Sequence, residues 1–217
     1  MRLWTFQSPE VYEILKTEGV YHCDHKRIIE QEEADDSSMF TDAYSYMSTQ
    51  MKKRIGEPPE GVVFPIWAWH SWDGQRKRPD VRRHDFRSFL CYNSTFLMEI
   101  EIPDEQVLLS DKYQWNAVVS KYICSDYEIN LKNVDEKVED EIIKKSDQEI
   151  DWLESLPETQ RNEIIHKSWE KAFDVFPLQK SPCYSTQWIQ ATFWELRIDQ
   201  VVKTWSFKSR PIPSYMF

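Results

Sequence analysis

Where the strands fall along this chain restricts its architecture more than any other feature. Alternating apolar and polar segments lie near the start ("RLWTFQ", 2–7; "VYHC", 20–23) and in the middle ("VVFPIWAW", 62–69; "STFLMEIEIP", 94–103, continued after a turn by "QVLLS", 106–110). Two more lie near the end ("STQWIQATFWEL", 185–196; "QVVKTWSF", 200–207), joined through "RIDQ" as a closing hairpin. Parallel strands need a crossover, usually a helix, between them, and few of these strands are spaced that way. The order predicts an α+β fold with a mixed or antiparallel split sheet and flanking helices. Only four of 217 residues are glycine, and GxGxxG, GxxxxGK[ST] and GxSxG are all missing. That argues against a Rossmann or P-loop nucleotide enzyme.

The helices carry start and stop signals. Ser8 is placed to cap "PEVYEILKTE", Pro9 suits its first position, and Gly19 stops it. Phe40, Tyr44, Met47, Met51 and Ile55 recur at helical steps up to Gly56. Ser110 or Asp111 can cap a helix whose apolar face is Trp115, Val118, Val119 and Tyr122. Proline in "VVFPIWAW" places that strand at an edge or beside a bulge. Charged helical sequence, broken at Pro157, forms a helical insertion at about 127–176 within a single domain.

Charge is unevenly spread over a net of −10. Residues 131–170 hold twelve acids against six bases, whereas 76–87, "RKRPDVRRHDFR", holds six bases against two acids. Most of the surface would repel nucleic acid, and one loop would attract an anion. Neither a secretory signal nor an apolar run long enough to span a bilayer is present, so a cytoplasmic protein with no membrane partner is expected. Cys23, Cys91, Cys124 and Cys183 lack CxxC spacing and read as free thiols. "HCDH" at 22–25 bears ligand atoms, but without a second cluster it reads as a polar turn, and no metal is expected.

The combination of strand aromatics, strand amides and a basic loop carries the functional signal. Thr5 and Gln7 share one face of the first strand, and Trp67 and Trp69 share one face of theirs. Gln190, Thr192 and Trp194 face one way on the late strand, with Ala191, Phe193 and Glu195 facing the other. Tryptophan can stack a flat heterocycle, amides can read its edge, and arginines can hold phosphates. Core packing of the tryptophans and a solvated basic loop are the plainer alternatives.

"LWTFQ", "AYSYM…QM", "PIWAW", "RPDVR", "LLSDKYQW" and "QATFWEL" together resemble a bacterial domain family of unknown function over nearly the whole chain. A more distant resemblance links "LWTFQSPEVYEILKTEGVY", "VLLSDKYQWNAV" and "IQATFWELRIDQVVKTWSF" to ADP-ribosyltransferases that modify nucleic acid. It implies a split α+β sheet holding NAD, as substrate, in a cleft, and the action of a toxin or defence protein on nucleic acid or protein. Thr5 and Gln7 would contact the nicotinamide side, Trp67 or Trp69 would stack, and Arg82 or Arg83 would grip the pyrophosphate. Asp111 also recurs in the pattern, beside its reading as a helix cap. The catalytic glutamate of such enzymes would fall near Gln190 or Thr192, neither of which is an acid, and Glu195 is the nearest carboxylate. Two other functions fit the same residues. One is a non-catalytic module binding a nucleotide or single-stranded nucleic acid. The other is a protein-interaction domain, for a basic partner or an antitoxin, using the acidic helices.

Overall fold

The computed structural model describes residues 1–23, 39–87, 95–124, 136–175 and 188–208. Asp24 and His25 of the "HCDH" stretch, Cys91, Cys183 and both ends of the expected insertion lie outside the described residues.

The first strand, β1 (Arg2–Gln7), runs into α1 (Pro9–Glu18), and both ends of that helix form for local reasons. The Ser8 hydroxyl accepts the Val11 N–H, Pro9 fills the first turn, and Gly19 takes the left-handed conformation at φ 78°. Next come β2 (Val20–His22) and α2 (Met39–Ile55), the latter burying Met47 and Met51 completely. The chain continues through β3 (Ile66–Ser71), the single-turn α3 (His84–Arg87), β4 (Thr95–Glu101), β5 (Leu108–Asp111) and α4 (Lys112–Val119). The acidic segment supplies α5 (Glu136–Glu154) and α6 (Glu158–Ser168), broken at Pro157 as expected. Last are β6 (Ile189–Phe193), β7 (Glu195–Arg197) and β8 (Val201–Phe207).

The fold is α+β. Six strands form one sheet in the order β5-β6-β3-β1-β4-β8, and every neighbouring pair is antiparallel. A separate two-stranded sheet pairs β2 with β7. Three expectations change here. Pro65 precedes β3 and so removes no ladder bond, which leaves β3 free to sit in the middle of the sheet rather than at an edge; its irregularity falls between Trp69 and Ser71. The segment "QVLLS" does not continue beside β4, because β5 crosses to the opposite edge and pairs with β6. The closing segments are not a hairpin: β6 and β8 lie in different parts of the large sheet, and β7 between them belongs to the small one.

Register fixes what each face presents. Leu3, Ile66, Ala68, Met98, Ile100, Ala191 and Phe193 form one face, sealed by Val11 and Leu15 of α1. The other face carries Trp67, Leu108 and Trp194, which pack under Met47 and Met51 of α2 and Trp115 and Val118 of α4. Trp169, Ala172 and Phe173, in the helical turn after α6, enter that same cluster. The acidic segment therefore ends as core, not as decoration.

Candidate functional site

On this second face the strand alternation sets three tryptophans side by side. Trp4 of β1 stands opposite Trp69 of β3, and Trp69 and Trp67 stand opposite Gln190 and Thr192 of β6. Helices α2 and α4 do not seal this surface. Between them and the sheet lies an open cleft of about 320 Å³, lined by Phe6, Tyr44, Trp67, Ala68, Trp69, Trp115, Asn116, Val119 and Gln190. That volume is at the lower end of the range for small-molecule sites. Trp67 is held edge-on by Tyr44 at 5.7 Å and tilted against Trp115 at 5.1 Å between ring centroids.

Two polar atoms at this cleft are buried and bond to nothing in the protein: Trp67 Nε1, a donor, and Gln190 Oε1, an acceptor. Native structures pair nearly all such atoms, because an unpaired one forfeits its hydration. An unpartnered donor and acceptor beside these edge-on and tilted rings match in type the edge of a nitrogen heterocycle. Thr192, the other polar residue of β6 on this face, is spent: its hydroxyl donates to the Leu108 carbonyl at 3.3 Å and is fully buried.

Thr5 and Gln7 fall on the opposite face, with Leu3, and so do not share a cleft with Trp67 and Trp69. The Thr5 hydroxyl donates to the Trp67 carbonyl at 2.7 Å and accepts from the Gln7 amide at 2.7 Å. Asp111 caps α4, its Oδ1 accepting the N–H groups of Tyr113 and Gln114 at 2.8 and 3.2 Å. Burial raises its carboxyl above the ordinary range, and those two N–H groups oppose the rise. Glu195 opens β7 on the small sheet, where its Oε2 lies 3.4 Å from His22 Nε2; it lines neither this cleft nor the next one described.

The basic loop behaves differently from the expected arginine grip. Arg82 is doubly bonded to Asp80, and Arg83 pairs with Asp73 at 2.6 Å and with Asp85 at 3.4 Å. The Arg82 guanidinium also holds the Asp80 carboxyl far below the usual range. Lys77 and Arg78 lie over aromatic rings, 4.0 Å from the Trp72 centroid and 4.6 Å from the Trp205 centroid, and Arg83 also faces the Trp72 ring at 5.0 Å. Lys77 and Arg78 line a second open cleft of about 620 Å³ together with Trp72, Asp80, Arg82, Trp205 and Phe207.

Tyr44, Trp115, Asn116 and Phe6 are site residues that the sequence reading did not single out. Trp115 and Asn116 are adjacent on α4, and only the packing of that helix over β3 brings them to Trp67. Among the described residues no cluster of metal-ligating side chains occurs, and no helix is long and apolar enough to cross a membrane.

Fold and site thus define an α+β protein with an aromatic cleft on one face of an antiparallel sheet. The chain belongs to the family described as Domain of unknown function (DUF3841), whose model matches residues 2–202, in line with its run of motifs from "LWTFQ" to "QATFWEL". No curated protein and no solved structure matches it significantly.

Proposed function

We propose that the protein is a nucleotide-binding module that stacks a planar base in the cleft of Trp67, Trp69 and Trp115. The observation that carries this reading is the pair of buried, unpartnered hydrogen-bonding atoms, Trp67 Nε1 and Gln190 Oε1, among those rings. A base supplies a flat face for the rings and a polar edge for the two atoms, whereas an apolar ligand would leave both unpaired. Thermal-shift and calorimetric titration with NAD, ATP and short RNA tests it. At least one should stabilise the protein and bind saturably; no response to any of them overturns the reading.

A second reading, NAD-dependent ADP-ribosyl transfer, draws support from a different observation. The sheet splits directly after Trp194, so half-exposed Glu195 begins the small sheet immediately beyond the strand that bears Gln190. This layout is compatible with an ADP-ribosyltransferase-like fold, with Glu195 steadying an oxocarbenium-like transition state. The placement of Glu195 against His22, away from the cleft, makes binding without catalysis the stronger reading. Labelled NAD incubated with lysate should leave no label on macromolecules if the protein only binds. Label that disappears in Glu195→Ala would establish transfer.

A further inference from the structure

The second cleft lies on the same sheet face as the first. Phe6, which lines the first cleft, stands opposite Leu97 of β4, and Leu97 stands opposite Trp205 of β8, which lines the second. Two inter-strand spacings amount to about 10 Å. Between the clefts stands Phe86 of α3, fully buried, with its ring centroid 5.5 Å from that of Trp69 and 5.4 Å from that of Trp72. Trp69 borders the first cleft and Trp72 the second, so one aromatic partition serves both.

The two clefts differ in chemistry. The first is aromatic with amide edges. The second adds cations, Lys77 over Trp72 and Arg78 over Trp205, with the Arg82–Asp80 pair on the same wall. Unlike Arg82 and Arg83, neither Lys77 nor Arg78 forms an ion pair among the described residues. Trp72 Nε1 donates to the Lys77 carbonyl at 2.9 Å and anchors the loop that carries them. Alternating rings and cations along an open surface suit a ligand with more than one base and a phosphate between them. The net charge of −10 does not set the field here: residues 76–87 hold six bases against two acids, and the Asp80 carboxylate in the cleft wall is held by Arg82.

We infer that a single-stranded oligonucleotide is the ligand, one base occupying the Trp67 cleft and a neighbouring nucleotide the cleft of Lys77, Arg78 and Trp205. This rests on the reading of the first cleft as a base site. The test is fluorescence anisotropy with short labelled pyrimidine oligonucleotides, DNA and RNA in separate arms, beside calorimetry with the matching mononucleotide. The oligonucleotide should bind more tightly than the mononucleotide, and its affinity should fall as salt rises, since phosphate contacts release counterions. Trp205→Ala, and separately the double substitution Lys77→Ala with Arg78→Ala, should weaken the oligonucleotide about tenfold more than the mononucleotide. Because the double substitution changes only loop side chains, it keeps the test valid should Trp205→Ala unfold. Oligonucleotide binding that is absent, no tighter than the mononucleotide's, or equally strong in both variants overturns the inference. Oligonucleotide binding that needs Trp205 but ignores Trp67→Ala would instead sink the first-cleft reading and keep the second cleft as the strand's site.

Discussion

Gln190 stands directly across the β3–β6 ladder from Trp69, and its amide oxygen is buried without a partner. A carbonyl dipole in that position is a liability to the empty fold and an asset once a donor arrives. Gln190→Leu should therefore leave the melting temperature unchanged or raise it, while nucleotide affinity falls about five- to tenfold, the worth of one hydrogen bond. Thermal melting and calorimetry on the same preparation check both halves. A large loss of stability would show that Gln190 is structural.

Phe86 is fully buried although it comes from a charged loop, and its ring lies 5.3–6.0 Å from those of Phe6, Trp69, Trp72 and Trp188. Phe86→Ala should cost about 3–5 kcal/mol, as removal of a buried aromatic does, and Phe86→Leu clearly less. Urea unfolding measures the difference. A cost below about 1 kcal/mol would mean that the partition between the clefts is not a packed element.

His70 is buried on β3, and burial draws its imidazole down to about 4, with Arg76 adding to the effect and Asp104 opposing it. Its folded value lies below its unfolded 6.5, so the fold prefers the neutral ring. That stabilisation is fully present above pH 6.5 and is lost as pH falls toward 4. The full shift corresponds to about 3 kcal/mol. Unfolding free energies of the wild type and His70→Gln across this window should differ in slope, the wild type losing more. Parallel profiles would contradict the assignment.

Asp111 combines a useful oxygen with an awkward charge. Its folded carboxyl titrates above its ordinary value because it is buried, so the ionised form becomes a disadvantage as pH rises through that value. Asp111→Ala removes the cap and should cost about 1–2 kcal/mol. Asp111→Asn keeps an acceptor for the Tyr113 and Gln114 N–H groups and drops the charge, so at pH 7 it should match or exceed the wild type. An Asn variant as unstable as Ala would show that the charge itself is needed.

Local signals predicted the parts of this molecule that are locally determined. Ser8, Pro9 and Gly19 mark α1 in the sequence and perform those roles in the structure. Period-two alternation placed Trp67, Trp69, Gln190 and Thr192 in two sets, and the ladder joins those sets on one face. Which strand faces coincide, however, depends on register, and no local pattern reveals it. Trp4, not Thr5, meets Trp69, and that single pairing sends Thr5 and Gln7 to the far side. The break between β6 and β7 is equally non-local. Trp194 Nε1 donates to the Gly56 carbonyl at 3.0 Å, a contact 138 residues away in sequence that nothing in "QATFWEL" announces.

Whether the Trp67 cleft binds a nucleotide base is decided by calorimetric titration of ATP into the wild type and Trp67→Ala. Base stacking on an aromatic side chain is worth about 1–3 kcal/mol. Saturable one-site binding to the wild type is expected, weakened about tenfold or more in Trp67→Ala, with the variant still folded by circular dichroism. Equal affinity in the two proteins, or heat of dilution alone in the wild type, would contradict base binding there.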